Sequence, residues 1–177
     1  MLGERGLNCF ADDLAESDGF ALDPIWRMAY STIFPEPFSM KLAFDKESQK
    51  AGIDRIVEHN GKVWTFDDKY RRNDFGDILL EYESSQGRPG WVKKNMKCTG
   101  ITYLVRPSRR VFFINFKALR ESWALNEAFY MGFDRKHANN GSYVTKSVAI
   151  PIHVMHKMLG GWFIEKSIPK TKQGGEE

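Results

Sequence analysis

The residues best suited to chemistry in this 177-residue chain concentrate in 53–70, IDRIVEHNGKVWTFDDKY. Two runs rich in β-branched and aromatic residues flank Asn60-Gly61. That pair suits a two-residue type I′ turn, in which both central positions need positive φ. With those residues as the loop, His59 faces Lys62 and each further pair keeps the same sum of residue numbers, so Asp54 falls opposite Asp67. Cross-strand Cβ atoms on one face lie roughly 4.5–5.5 Å apart, close enough for two carboxylates to share a hard cation. Side chains alternate along a strand, so Lys69 joins Asp67 on that face while Asp68 points the other way. Two acids and a lysine suit phosphodiester hydrolysis: the carboxylates hold Mg²⁺ or Mn²⁺, the metal makes its bound water a usable nucleophile, and the lysine orients that water or offsets developing charge. Asp134-Arg135-Lys136 repeats the acid-x-Lys spacing without a predicted strand partner, so it is the register that singles out the first triplet. A purely structural reading, with the acids as solvated surface charges, must explain why like charges face each other, an arrangement that destabilises a hairpin unless neutralised.

The flanking elements must position that hairpin. Asp23-Pro24 supplies a capping acid and a first-turn proline for a helix through IWRMAYSTIF, which Pro35 and Pro37 stop. Residues 38–44 fit either a strand or a helix start. Asp45 to Lys50 reads as a short helix closing at Gly52. On it, Asp45, Glu47 and Gln49 are candidates for a further metal ligand or a phosphate contact, beside their reading as a charged exposed turn. After a polar connection, Asp77 to Ser84 is predicted as a third strand antiparallel to the second, with Glu81 a candidate additional ligand or an exposed sheet charge. A loop at 84–90 leads to a short basic segment with an aromatic anchor, Trp91 to Lys97. Thr99 to Arg106 and Arg110 to Phe116 read as a second hairpin, Lys117 to Met131 as an amphipathic helix, 132–142 as a basic loop, and Tyr143 to Ile152 as β-leaning. His153 and His156 share a helical spacing, but without a third ligand nearby no zinc site is assigned. Residues 1–22 show no clean period. The tail 169–177 is predicted to be disordered, leaving 1–168 as one domain.

Asp54, followed across a hairpin by Asp67-Asp68-Lys69, resembles the PD-(D/E)XK nuclease superfamily, whose motif is an acid followed by (D/E)-x-K on the next strand. Ile53 stands where the motif has proline, and the resemblance covers mainly residues 45–120. The segment DKESQKAGID is similar to the approach to the first acid in phage and restriction-type members. The resemblance implies an α/β (α+β) fold, a restriction endonuclease-like αβββαβ core with a mixed sheet flanked by helices. It further implies Mg²⁺ or Mn²⁺ held by Asp54 and Asp67, and Asp54, Asp67 and Lys69 as the catalytic residues of a metal-dependent endonuclease.

Composition sets the outer bounds. With 42% apolar and 14% aromatic residues the chain can fill a core, and a net charge of +3 permits a polyanionic partner. Arg71, Arg72, Lys93, Lys94, Lys97, Arg106, Arg109, Arg110, Arg135 and Lys136 group in loops around the strands, where cations neutralise phosphates without reading sequence. No helix-turn-helix, zinc-finger or RNA-recognition signature appears, so a sequence-specific reader is not expected. Nucleic acid is the expected partner, DNA ahead of RNA, and a homodimer is left open. Two other classes stand beside the nuclease: a nucleic-acid-binding module that keeps the fold without chemistry, and an interaction protein. Cys9 and Cys98 are too few for a disulfide framework, and neither a signal-peptide pattern nor a membrane-length apolar run appears, so a cytoplasmic setting without membrane attachment is expected.

Overall fold

Strand β5 (Gly100–Val105) is buried at all six positions, which requires cover on both faces and partners on both edges. The computed structural model, which describes residues 21–139 and 144–170, sets it between β3 (Lys62–Arg71), parallel, and β6 (Arg110–Asn115), antiparallel. The full sheet runs β1 (Ser39–Leu42), β2 (Arg55–His59), β3, β5, β6 and β9 (Phe163–Ser167), with β3–β5 its one parallel pair. A parallel neighbour needs a long crossover, here the chain between Arg71 and Gly100.

Alternation along the strands divides the core in two. Phe66, Leu104, Val111 and Phe113 pack against Trp26, Ala29 and Tyr30 of helix α1 (Ile25–Ser31). The opposite face, with Ile101, Tyr103, Val105, Phe112 and Ile114, packs against a second sheet and two helices. That second sheet is antiparallel, in the order β4 (Asp77–Glu83), β8 (Val144–Pro151), β7 (Asp134–Asn139). Ile78, Leu80, Val148 and Ile150 are its core positions, joined by Leu119 and Trp123 of α3 (Phe116–Tyr130) and Met155 of α4 (Ile152–Leu159). The result is a mixed α+β fold with a mixed sheet and flanking helices. A further short helix, α2 (Lys46–Lys50), leads into β2.

One open reading is settled and two expectations change. Residues 39–42 form a strand, β1, which completes an antiparallel run with β2 and β3. The strand after the hairpin does not pair with β3; it joins β8 in the other sheet. The burial patterns explain this, because β4 alternates fully buried Ile78 and Leu80 with half-buried positions, whereas β5 is apolar enough to sit covered on both sides. Residues 134–139, expected within a basic loop, form β7. It is an outer strand, exposed along 134–138, so charged residues cost nothing there and guard the free edge. The expectations for residues 1–20 and for the tail beyond Lys170 lie outside the described residues.

Beneath the hairpin, on the α1 side, Asp68 is held in a buried polar network. Tyr30 donates its hydroxyl to Asp68 Oδ1 at 2.7 Å, and Arg55 donates Nε to Oδ2 at 2.7 Å. Tyr30 has one proton to give, so Thr102, 2.7 Å away, must donate to the Tyr30 oxygen. Tyr30→Phe removes both bonds and leaves one Asp68 oxygen and the Thr102 hydroxyl unpaired inside the protein. The expected cost is about 1–3 kcal/mol, measured by urea unfolding with an unchanged m-value; a midpoint equal to wild type would show that the network is not holding α1 to the sheet.

Candidate metal and catalytic site

The turn has the backbone its sequence demands, with Asn60 at φ 49° and Gly61 at φ 70°. The register is the one the turn dictates: His59 pairs with Lys62, and the ladder runs back to Arg55 opposite Phe66. Asp54 lies one residue beyond the ladder, yet its amide still bonds to the Phe66 carbonyl at 2.8 Å. Its Oδ2 accepts the Asp68 amide at 2.9 Å. Asp54 is therefore fixed to β3 through both backbone and side chain.

Two segments deliver and cover it. Asp45 caps α2, accepting from the Ser48 amide and hydroxyl, and Gly52 turns the chain with φ 68°. A Cβ at Gly52 would meet Met96 Sδ at 2.5 Å, so the turn needs glycine for space as well as for conformation. The crossover returns over this corner: Lys97 donates its amide to the Ala51 carbonyl and Thr99 to the Thr65 carbonyl, both at 2.7 Å.

Asp67 and Lys69 point to the face opposite Asp68, toward the second sheet. Asp67 is only 6% exposed, and Lys69 Nζ lies 2.6 Å from its Oδ2. Apart from that ion pair, Oδ2 has no hydrogen-bond partner among the described residues. Burial pushes the Asp67 carboxyl up to about 6, against the pull of Lys69 and with a further push from the Asp54 carboxylate. Burial works against the Lys69 ammonium, but Asp67, Asp54 and Glu81 outweigh it and hold its pKa above the ordinary lysine value. Glu81, on β4, is raised by burial while Lys69 and Lys94 draw it down. The walls are apolar or neutral. The Trp91 ring centre is 5.9 Å from Lys69 Nζ, and the buried Cys98 thiol is pushed up to about 12 by burial and by Asp67, which keeps it protonated. Gly90 lets this wall run against β4, since a Cβ there would sit 2.3 Å from the Glu81 carbonyl oxygen.

Asp54, Asp67, Lys69 and Glu81 thus form one electrostatic cluster, with three carboxylates to one ammonium. The other candidate ligands stand apart in role: Asp45 is spent as a helix cap, and Glu47 and Gln49 lie exposed on α2. Many expected phosphate-binding cations already have protein partners. Arg71 pairs with Asp77, Lys93 with Glu127 at 2.6 Å, Arg110 with Glu165 at 2.8 Å, and Lys136 with Asp134. Arg109 donates to the Ile168 carbonyl at 3.1 Å and Arg135 to the Met131 carbonyl. Arg72 also has an interaction of its own. Lys94 and Lys97 are exposed on the crossover. His156 lies 3.3 Å from Glu165. Sequence reasoning missed Arg55 as the counter-charge of Asp68. The signal was present, because the same register puts Arg55 opposite Phe66 and hence diagonal to Asp68.

The donor set suits a hard cation. Among the described residues no group of three or more His, Cys, Asp and Glu side chains is placed to bind a metal, but Mg²⁺ needs only one or two carboxylates with water and substrate oxygens completing its shell. Asp54 and Asp67 meet that requirement, and the protonated Cys98 does not compete. A comparison of the chain with protein-family models, curated proteins and solved structures found no match.

Asp54→Asn keeps an oxygen to accept the Asp68 amide but removes the like charge beside Asp67. Without metal at pH 7.5 its melting temperature should exceed that of wild type by about 2–4 °C, the equivalent of roughly 1 kcal/mol, and Mn²⁺ should raise wild type but not the variant. Equal responses to Mn²⁺ would place the cation elsewhere.

The raised Asp67 pKa gives a second expectation with a definite sign. The folded protein retains this proton up to about pH 6, whereas the unfolded chain loses it near 3.9, so the group's contribution to metal-free stability declines as pH rises through that window. Cation and proton compete for the same oxygens, so Mn²⁺ affinity measured by calorimetry should climb about tenfold per pH unit below 6 and flatten above it. A flat profile from pH 5 to 7 would exclude Asp67 as a ligand.

Proposed function

We propose that this protein is a metal-dependent nuclease of the PD-(D/E)XK type, hydrolysing phosphodiester bonds with DNA as the preferred substrate. The observation that carries the reading is the pairing of Asp54 with buried Asp67 on one face of a hairpin whose next same-face residue is Lys69. The topology supports it: α1, the antiparallel run β1–β2–β3, and a crossover to parallel β5 follow the αβββαβ order, with β4 and residues 84–98 standing in the crossover where a helix is expected.

Asp54 and Asp67 would hold Mg²⁺ or Mn²⁺. When bound, the metal would lower the pKa of a coordinated water and polarise a phosphate oxygen. Lys69 is charged at neutral pH and placed to orient the attacking water and offset charge on the phosphate oxygens. Arg55, Tyr30 and Thr102 act from behind, fixing Asp68 and with it the backbone amide that holds Asp54.

Lys69→Ala separates catalysis from metal binding, because lysine is not a ligand. Measured at pH 8, where Asp67 is ionised, the variant should keep the Mn²⁺-induced melting shift and lose about 10²–10⁴ in cleavage rate. The substrates are single-stranded, double-stranded and branched DNA and RNA. Cleavage equal to wild type would overturn the role of Lys69, and a wild type that binds but cuts none of them would favour a binding module.

A further inference from the structure

Beside the acid cluster lies a second feature, a cavity of about 530 Å³ between the end of the crossover and the first turns of α3. Its charge is one-sided. Lys97, Lys117 and Arg120 line it against one carboxylate, Glu121, with Cys98 and Thr99 at its inner wall. Lys117 and Glu121 are loosely paired at 3.9 Å on the exposed helix surface, and Arg120 donates one guanidinium nitrogen to Asn95 Oδ1 at 3.0 Å, leaving its other donors for a ligand. Lys97 is exposed and has no ion-pair partner among the described residues. The first turn of α3 is already partly engaged: the Phe116 amide is bonded to the Thr99 carbonyl at 3.2 Å and the Ala118 amide to Asn115 Oδ1 at 2.9 Å, so the side-chain cations are the main groups facing a ligand.

The cavity's position matters as much as its charge. Thr99 Oγ1 lies 3.2 Å from Thr65 Oγ1, and Thr65 shares a strand face with Asp67, two residues further along. Two strand residues span about 7 Å. Successive phosphates of one strand lie roughly 6–7 Å apart through space, the rise of about 3.4 Å being measured along the helix axis only, so that span is about one nucleotide. Cys98 forms a wall common to the cavity and the acid cluster.

We propose that this cavity is a phosphate subsite, holding a backbone phosphate one or two nucleotides from the bond presented to Asp54 and Asp67. The assignment rests on the nuclease reading and adds where the strand runs: from the hairpin face, past Thr99, to the start of α3. The guanidinium of Arg120 suits a phosphate bidentately, and the two lysines act as point charges around it. One phosphate neutralised by three side chains makes a specific demand, since their combined loss should remove a single ionic contact from the salt dependence.

The test uses the full chain in EDTA, so that no cleavage interferes, with a fluorescent duplex oligonucleotide titrated across salt concentrations. The variant Lys97→Gln/Lys117→Gln/Arg120→Gln should bind more weakly, with the slope of log affinity against log salt reduced by about 0.9. A control, Lys62→Gln/Lys157→Gln/Lys166→Gln, removes the same charge from exposed positions elsewhere and should leave the slope at the wild-type value. Equal slopes for the two triple variants overturn the subsite. In parallel, amide shifts of residues 97–99 and 117–121 are followed with inorganic phosphate and with the oligonucleotide. Shifts with the oligonucleotide support the proposal, and shifts with inorganic phosphate alone overturn it in favour of a free-anion pocket. Failure of the nuclease reading shows separately, as absence of metal-dependent cleavage by wild type; failure of the subsite shows as intact cleavage with an unchanged slope.

Discussion

Two adjacent carboxylates, Asp67 and Asp68, leave β3 on opposite faces, and each is buried with a single cation. Asp68 is neutralised on the α1 side by Arg55 and closed off by Tyr30; its environment is complete. Asp67 has Lys69, but it also has Asp54 beside it, and Lys69 is shared with Glu81. One acid is structurally satisfied and the other is left short of positive charge. Both conditions follow from the period of two along a strand: a slip of one residue in the β2–β3 register would carry Asp67 and Lys69 into the aromatic core around Tyr30 and Phe113 and take Phe66 out of it. The tight turn at Asn60-Gly61, the Arg55–Asp68 pair and the Asp54 bond to the Asp68 amide all oppose that slip.

The hairpin and its facing acids were legible in the sequence because the information is local. A turn of two residues fixes φ, φ fixes the loop, and the loop fixes every pair back to Arg55. The third strand was legible as a strand but not in its partner, since β8 lies far along the chain and pairing at that range is decided by which strand can be covered on both faces. For β7, the sequence DRKHAN has no apolar alternation to reveal a strand; its conformation comes from docking against β8. The cations show the same division. That Lys and Arg cluster around the site is a property of the sequence, whereas the commitment of Arg71 to Asp77 and of Arg110 to Glu165 emerges only when the strand ends meet.

These commitments bear on where a polyanion would lie. With Arg71, Arg109 and Arg110 tied to protein partners at the far end of the sheet, the expected phosphate-binding cations that stay exposed near Asp54 and Asp67 are Lys94 and Lys97 of the crossover, with Lys117 and Arg120 beside them at the start of α3. The crossover therefore has two roles. Through Met96, Lys97 and Thr99 it packs over the corner that delivers Asp54, and through Trp91 and Cys98 it gives the acid cluster walls that keep the dielectric low and the charges strongly coupled.

The central claim is that Asp54 and Asp67 together hold a divalent cation, and anomalous scattering from crystals soaked in Mn²⁺ near pH 8 tests it most directly. The account predicts a peak between the two side chains, within about 2.0–2.3 Å of one oxygen from each, the range of divalent-cation bonds to oxygen. A soak that leaves that position without anomalous density, or a peak that engages other residues in its place, would contradict it.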